Sequence, residues 1–176
     1  MKNIAAAAVL VVISMISGVA QQKCTDYTEQ GSALTLCIPS GWTSETKPGR
    51  KYKTFILNAG NKLRATNFNI AEGRSPVSLN DFFMLTLKGM FAMKESGDIK
   101  IVQLVDLKDF QTSSGLVGIR AVYLNDYDGS SLFRTVQFIF DGPDDLKYII
   151  TATTITSDTA TVAIEDDIIR TLRIKR

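Results

Sequence analysis

Alternation of apolar and polar side chains dominates this chain, and the period changes twice along it. "KYKTFILN" and "LRATNFNIAEG" read as strands rich in aromatic and branched residues, with "AGNK" as turn material between them. Over "SPVSLNDFFMLTLKGMFAMKESG" the spacing becomes helical. Leu79, Phe83, Leu87 and Met90 fall on one stripe, and Phe82 and Phe91 widen it. Ser78 is placed to cap the start, with Asp81 three residues on, and Gly97 to end the helix. Four strand-like runs follow: "DIKIVQLVDLKDF", "GLVGIRAVYLND", "SLFRTVQFIFD" and "LKYIITATTIT". Their links "QTSSG", "YDGS" and "DGPDD" are short, which predicts antiparallel neighbours, and Asp128-Gly129 is the strongest hairpin signal in the chain. The closing "SDTATVAIEDDIIRTLRIKR" returns to helical spacing, with Ala160, Ile164, Ile168 and Leu172 on one stripe. Ser157 or Asp158 is its expected cap, and Arg170, Arg173 and Lys175 suit the negative end of its dipole.

The front of this pattern is "KCTDYTEQGSALTLCIPSGW", with both cysteines and the single tryptophan. A two-residue turn at Gln30-Gly31 sets Glu29 opposite Ser32, Tyr27 opposite Leu34 and Cys24 opposite Cys37. The cysteines then fall on a non-hydrogen-bonded pair, where Cα atoms approach to about 4.5 Å, within disulfide reach. Beyond the hairpin, Pro39, Gly41, Pro48 and Gly49 rule out continuous regular structure in "IPSGWTSETKPGRKYK". The predicted order is ββββ-α-ββββ-α. Each helix has one apolar face, and "KIVQLVDL" and "LFRTVQFIF" are apolar on both faces. The expected class is α+β: an α/β/α sandwich with a central, mainly antiparallel sheet.

The first twenty residues change the compartment. Lys2 precedes an uncharged, mostly apolar run from Ile4 to about Ile16, and Gly18 and Ala20 stand at −3 and −1 of a cut after Ala20. This is the layout of a secretory signal peptide. The run is too short for the ~20 residues that cross a bilayer, so no stable membrane span is expected after cleavage. A single domain, residues 21–176, is then exported to the periplasm or the extracellular space, where two cysteines most simply form one disulfide. The alternatives lack support: C-x-x-C spacing is absent, and a structural zinc site needs about four ligands where the chain has two cysteines and no histidine. The formal charge of +2 drops by one with Lys2, and no global field points to nucleic acid.

"LTLCIPSGW" (Leu34 to Trp42), the helix "SLNDFFMLTLKGM", the strands "GIRAVYLN" and "FRTVQFIF", and the closing "IEDDIIRTLRIK" together resemble the PsbP-like proteins. That family comprises the extrinsic photosystem II subunits and non-photosynthetic bacterial relatives such as the DcrB-like envelope proteins. The resemblance covers nearly the whole mature chain. It implies an α/β/α sandwich used as a non-enzymatic binding or assembly module outside a membrane, and it carries no catalytic residue across. Photosynthetic members act through an N-terminal extension. Here only Lys23 and a few neighbours precede the first strand, so the envelope version is the one that transfers.

Chemistry narrows the choice further. Without histidine, Ser-His-Asp and Cys-His arrangements are excluded, and no G-x-S-x-G, P-loop or G-x-G-x-x-G occurs. The acids of "NDYDGS" and "DGPDDL" are read as turn residues. Asp126 and Asp128 lack the full calcium-loop spacing. No enzyme activity, metal or cofactor is expected. The candidate surface is basic: Lys47, Arg50, Lys51 and Lys53 lie in or beside the Pro/Gly loop, with Lys62 and Arg64 one hairpin later. Trp42 is read first as a core anchor under that loop, and with Lys47, Arg50 and Lys51 as a partner-binding surface. Two functions follow. One is an assembly module that docks on an envelope or membrane-associated protein. The other is a small-ligand or lipid carrier with a pocket between sheet and first helix. Oligomeric state has no signature in the sequence.

Overall fold

The computed structural model describes residues 23–57, 66–126, 129, 131–156 and 159–175, with residues 101 and 159–164 described by backbone alone. The proposed signal peptide, Lys62, Arg64, Asp128 and the expected caps Ser157 and Asp158 lie outside the described residues.

Among the described residues, two antiparallel sheets form the frame. The smaller runs β1-β2-β10, joining β1 (Cys24–Thr28), β2 (Leu34–Pro39) and β10 (Arg173–Ile174). The larger has seven strands: β3 (Trp42–Glu45), β4 (Thr54–Leu57), β5 (Asn67–Arg74), β6 (Ile101–Gln111), β7 (Val117–Asp126), β8 (Phe133–Asp141) and β9 (Leu146–Ile155). Its order is β3-β4-β5-β9-β8-β7-β6. Helix α1 (Leu79–Glu95) packs on β6, β7 and β8, and helix α2 (Thr159–Arg170) on β2 and β9. The α/β/α sandwich is thus observed, with the small sheet sharing the α2 side.

Alternation along the central strands creates two cores. Val136, Phe138 and Phe140 of β8 face the α2 side with Leu34 and Leu36 of β2 and Ile168 and Ile169 of α2. Ile139 of β8 points the other way, with Ile119, Ala121 and Tyr123 of β7, to meet Phe83 of α1. Each such aliphatic or aromatic side chain contributes roughly 1.5–3 kcal/mol on burial. Close approach of β7 and β8 requires glycine at position 118, because a Cβ there would lie 2.5 Å from Ile139 O.

Helix α1 follows its sequence signals. The Ser78 hydroxyl accepts from Asp81 N–H at 3.1 Å and donates to the Asp81 carboxylate at 2.7 Å. Gly97, at φ 86°, turns the chain away after Ser96. The turn reading of Asp126 also holds: its Oδ1 accepts from Gly129 N–H at 2.6 Å. Phe91, placed on the buried stripe by spacing, is exposed instead.

Four expectations need correction. The entry hairpin pairs two residues out of the expected register: Asp26, not Cys24, faces Cys37, and Tyr27 faces Leu36. Glu29 and Ser32 do close the turn (Ser32 N–H to Glu29 O, 3.0 Å). Ser32 Oγ then binds Leu34 N–H at 3.1 Å and Tyr52 OH at 2.8 Å, which keeps residues 32 and 33 out of the ladder. A shift of two preserves each strand's faces, so Cys24 and Cys37 still bond, diagonally, with Cα atoms 5.5 Å apart. Second, β3 is an additional strand: four residues between the Pro/Gly breaks pair with β4, making five strands before α1 among the described residues. Third, the last helix stops at Arg170. Thr171 Oγ1 donates to Ile168 O at 2.6 Å and accepts from Cys37 N–H at 2.8 Å, and Arg173 and Ile174 become a strand against β2. Fourth, β6 is apolar on both faces but not covered on both. A bulge between Leu104 and Asp106 leaves Val105 and Leu107 exposed.

Candidate functional site

The basic loop is built on a defined turn. Pro48 fixes its own backbone and Gly49 takes φ 76°, the residue pattern of a type II turn, closed by Arg50 N–H to Lys47 O at 3.1 Å. Lys47 and Arg50 occupy its two corners, and both are exposed.

The third cation of the set is engaged. Lys51 Nζ lies 2.9 and 3.1 Å from the two carboxylate oxygens of Glu72 and 5.3 Å from the Tyr52 ring centre. Tyr52, buried, donates its hydroxyl to Glu72 Oε2 at 2.9 Å. Burial alone would raise the Glu72 carboxyl, but the Lys51 and Tyr52 hydrogen bonds outweigh it and hold Glu72 below the usual range. Lys53 rests its ammonium 6.0 Å from the Tyr27 ring.

A polar groove of about 490 Å³ opens beside this pair, lined by Lys51, Glu72, Arg74, Asp144 and Tyr148 among others. Its far wall is the β8–β9 turn, where Asp144 and Asp145 adopt φ 53° and 60° and Leu146 N–H bonds Pro143 O at 3.0 Å. Two successive left-handed residues are tolerated best by Gly, Asn and Asp. Arg74 holds the turn by donating to Asp144 O at 2.9 Å, and Ser75 N–H bonds Asp145 O at 2.9 Å.

Trp42 sits at the other end of β3, roughly 10 Å from the strand's far end at ~3.3 Å per residue. Its indole packs 5.2 Å from Phe68, and it lines a small cleft with Lys23, Cys24 and Ile38. The structure therefore brings Lys47, Arg50 and Lys51 together and separates Trp42 from them. Sequence reading missed Glu72 and Arg74, which reach the loop through the pairing of β5 with β4, and Asp144, which joins them through the pairing of β5 with β9.

The layer expected to hold a carrier's pocket, between sheet and α1, is filled by Phe83, Ile119, Ala121, Tyr123 and Ile139. An apolar groove of about 620 Å³ instead runs along α1, lined by Val77, Met84, Leu85, Leu87 and Phe91 with Asp81 and Lys88. Met84 and Leu85 are each 58% exposed there. No helix among the described residues is long and apolar enough to cross a membrane.

Burial pushes up the hydroxyls of Tyr27, Tyr52 and Tyr123, the last to about 12. An unfolded tyrosine ionises near pH 10. Above that the unfolded chain holds fewer protons than the native one, so stability falls as pH rises. Below about pH 10 the contribution of all three is intact. We expect absorbance at 295 nm to report these three of the five tyrosines ionising only as near-UV circular dichroism is lost. Ionisation of all five before any loss of tertiary signal would contradict these environments.

No protein-family model matches the chain, and no curated protein matches its sequence. Its architecture is shared with solved structures. Cyanobacterial PsbP (CyanoP) from Synechocystis sp. PCC 6803 superposes with a TM-score of 0.63 at 14% identity, over 93% of this chain and 99% of that one. LpqN, involved in cell envelope biogenesis of Mycobacterium tuberculosis, gives 0.59 at 11% identity, over 88% and 91%. The Ran-binding protein Mog1p of Saccharomyces cerevisiae gives 0.58 at 8% identity, over 87% and 96%. The PsbP-like resemblance read from the residues is thus matched by a shared PsbP/Mog1-type fold.

Proposed function

We propose that this chain is an exported, non-enzymatic binding module of the cell envelope, docking on a membrane-associated protein through Lys47 and Arg50. The observation that carries this reading is the turn itself. Two cations stand at the corners of a Pro-Gly turn with no ion-pair partner among the described residues. Of their neighbours in the same loop, Lys51 is held by Glu72 and Lys53 lies over the Tyr27 ring, so Lys47 and Arg50 are the two cations this loop leaves to solvent. A pre-formed turn loses little conformational freedom on binding, which favours a docking role. The disulfide and the leader-like first twenty residues support an oxidising compartment. The fold supports the class of role, since a protein of envelope biogenesis and a Ran-binding protein also use it.

The test is crosslinking in the native host followed by mass spectrometry. A reproducible envelope partner is expected, and Lys47→Glu with Arg50→Glu should cut its recovery at least ~10-fold while circular dichroism stays unchanged. Capture should also weaken with salt, because exposed charges are screened within about 10 Å at 0.1 M. Partner recovery indifferent to both charge reversal and salt would remove the turn from the interface. The carrier alternative retains one observation, the apolar groove on α1. A bound lipid retained through purification would favour it.

A further inference from the structure

We propose that the α1-side face of the seven-stranded sheet, where it runs beyond α1 across β8, β9, β5 and β4, is a binding site for a neutral saccharide. One end of it, Thr54, begins the strand that follows the basic turn, but the site does not depend on that turn's cations. Beneath the helix this face is apolar: Ala71, Ile149, Ile139 and Ile119 form one row across four paired strands. The next row is Thr54, Asn69, Thr151 and Gln137, and the row after it continues from Ile56 through Asn67, Thr153 and Thr135. Seven consecutive partner positions thus carry only hydroxyls and amides, with no charge among them. With strands about 4.8 Å apart, the longer row spans ~14 Å, the scale of two to three sugar rings.

A solvated outer face would also be polar, but its side chains would be exposed. Here none of the seven is: Asn67, Asn69, Thr151 and Thr153 are half-buried, and Thr54, Thr135 and Gln137 are buried. Thr54 is 2% and Gln137 8% exposed, at the two ends of one row, and neither Thr54 Oγ1 nor Gln137 Oε1 has a hydrogen-bond partner. Next to Thr135, whose hydroxyl donates to Asn125 Oδ1 at 2.9 Å, the Asn125 Nδ2 is also unpaired. Buried polar atoms are normally satisfied. Three unsatisfied groups on the same face of β4, β8 and β7 (a hydroxyl that can donate or accept, an amide oxygen that accepts and an amide nitrogen that donates) call for a ligand that both donates and accepts.

The chemistry favours sugar over peptide. β4, β5, β9 and β8 are each paired on both sides, so no strand edge is open to a peptide backbone. Saccharide hydroxyls donate and accept together, matching amide and hydroxyl side chains, and a neutral ring brings no charge that this face would leave unpaired.

The oxidised, 15N-labelled protein is titrated with maltotriose, cellotriose and triacetylchitotriose and followed by amide NMR. At least one probe is expected to give saturable shifts of the Asn67, Asn69 and Gln137 side-chain amides. Gln137→Leu and Thr54→Val should each weaken that binding about tenfold, the loss of one hydrogen bond's worth of affinity, without lowering Tm. No saturable shift with any of the three sugars, or shifts confined to the Lys47–Arg50 turn, would overturn the proposal. So would variants that bind as well as the parent, since the unpaired atoms would then be meeting water alone.

Discussion

Arg120→Ala is expected to lower the stability of the fold by about 3 kcal/mol, at the low end of the 3–5 kcal/mol typical of breaking a buried ion pair. The guanidinium is 5% exposed and joins three elements. Its Nε donates to Asp166 of α2 at 3.0 Å, one terminal nitrogen donates to Asp106 of β6 at 2.8 Å, and the group lies 5.9 Å from the Phe138 ring centre. Removing it strands two carboxylates and opens a gap over Phe138. The effect stays at the low end because Asp106 and Asp166 keep partial access to solvent, which re-solvates them. Arg120→Met tests the mechanism. It refills the space without the charge, and apolar replacement of buried ion pairs is often near neutral, so a loss under about 1.5 kcal/mol is expected. Urea unfolding of the two variants separates the cases. Equal large losses would mean that the ion pairs themselves hold α2. Two negligible losses would leave that to Ile168, Ile169 and Leu172.

Reducing the Cys24–Cys37 bond is expected to cost a further ~3 kcal/mol by the loop-closure estimate for a short loop. The sequence separation is 13. The loss should fall unevenly. β1 places only Tyr27 against the interior, edge-on to Phe55 at 4.8 Å, whereas Leu34 and Leu36 of β2 are fully buried. Hydrogen exchange after reduction should therefore accelerate in β1 well before β2. Intact-mass analysis should show the chain gaining two mass units on reduction. Unchanged stability in a Cys24→Ser, Cys37→Ser variant would show that the ladder between β1 and β2 suffices alone.

How much of this was legible depended on distance along the chain. Helix α1 was, because Ser78 and Gly97 mark its ends locally. The end of α2 was not. Leu172 continues the helical stripe of Ile164 and Ile168 and also starts a strand's alternation with Ile174, and only the pairing of Arg173 and Ile174 with Thr35 and Leu34 decides. β3 was hidden because four residues between Pro39-Ser40-Gly41 and Pro48-Gly49 carry too little pattern to outweigh the breakers around them. The disulfide partners were legible but their register was not, since Ser32's bond to Tyr52 joins residues 20 apart. At the candidate site the cations of the loop were visible in the sequence. The acid that claims Lys51 was not, because Glu72 arrives through a different hairpin.

The small sheet also sets an order in time. Its first two strands form a contact between near neighbours, while its third comes from the far end of the described chain, more than a hundred residues later. Local contacts form before distant ones because their loop-closure entropy is smaller. In a chain emerging N-terminus first, the β1–β2 hairpin can thus be oxidised and locked while α1 and the central strands are still unmade. Leu34 then waits for its neighbour until Ile174 arrives, and that last docking seals the α2-side core. Chains cut short before Arg173 should leave Leu34 and Leu36 under-covered, and such intermediates are the ones a chaperone or protease would meet.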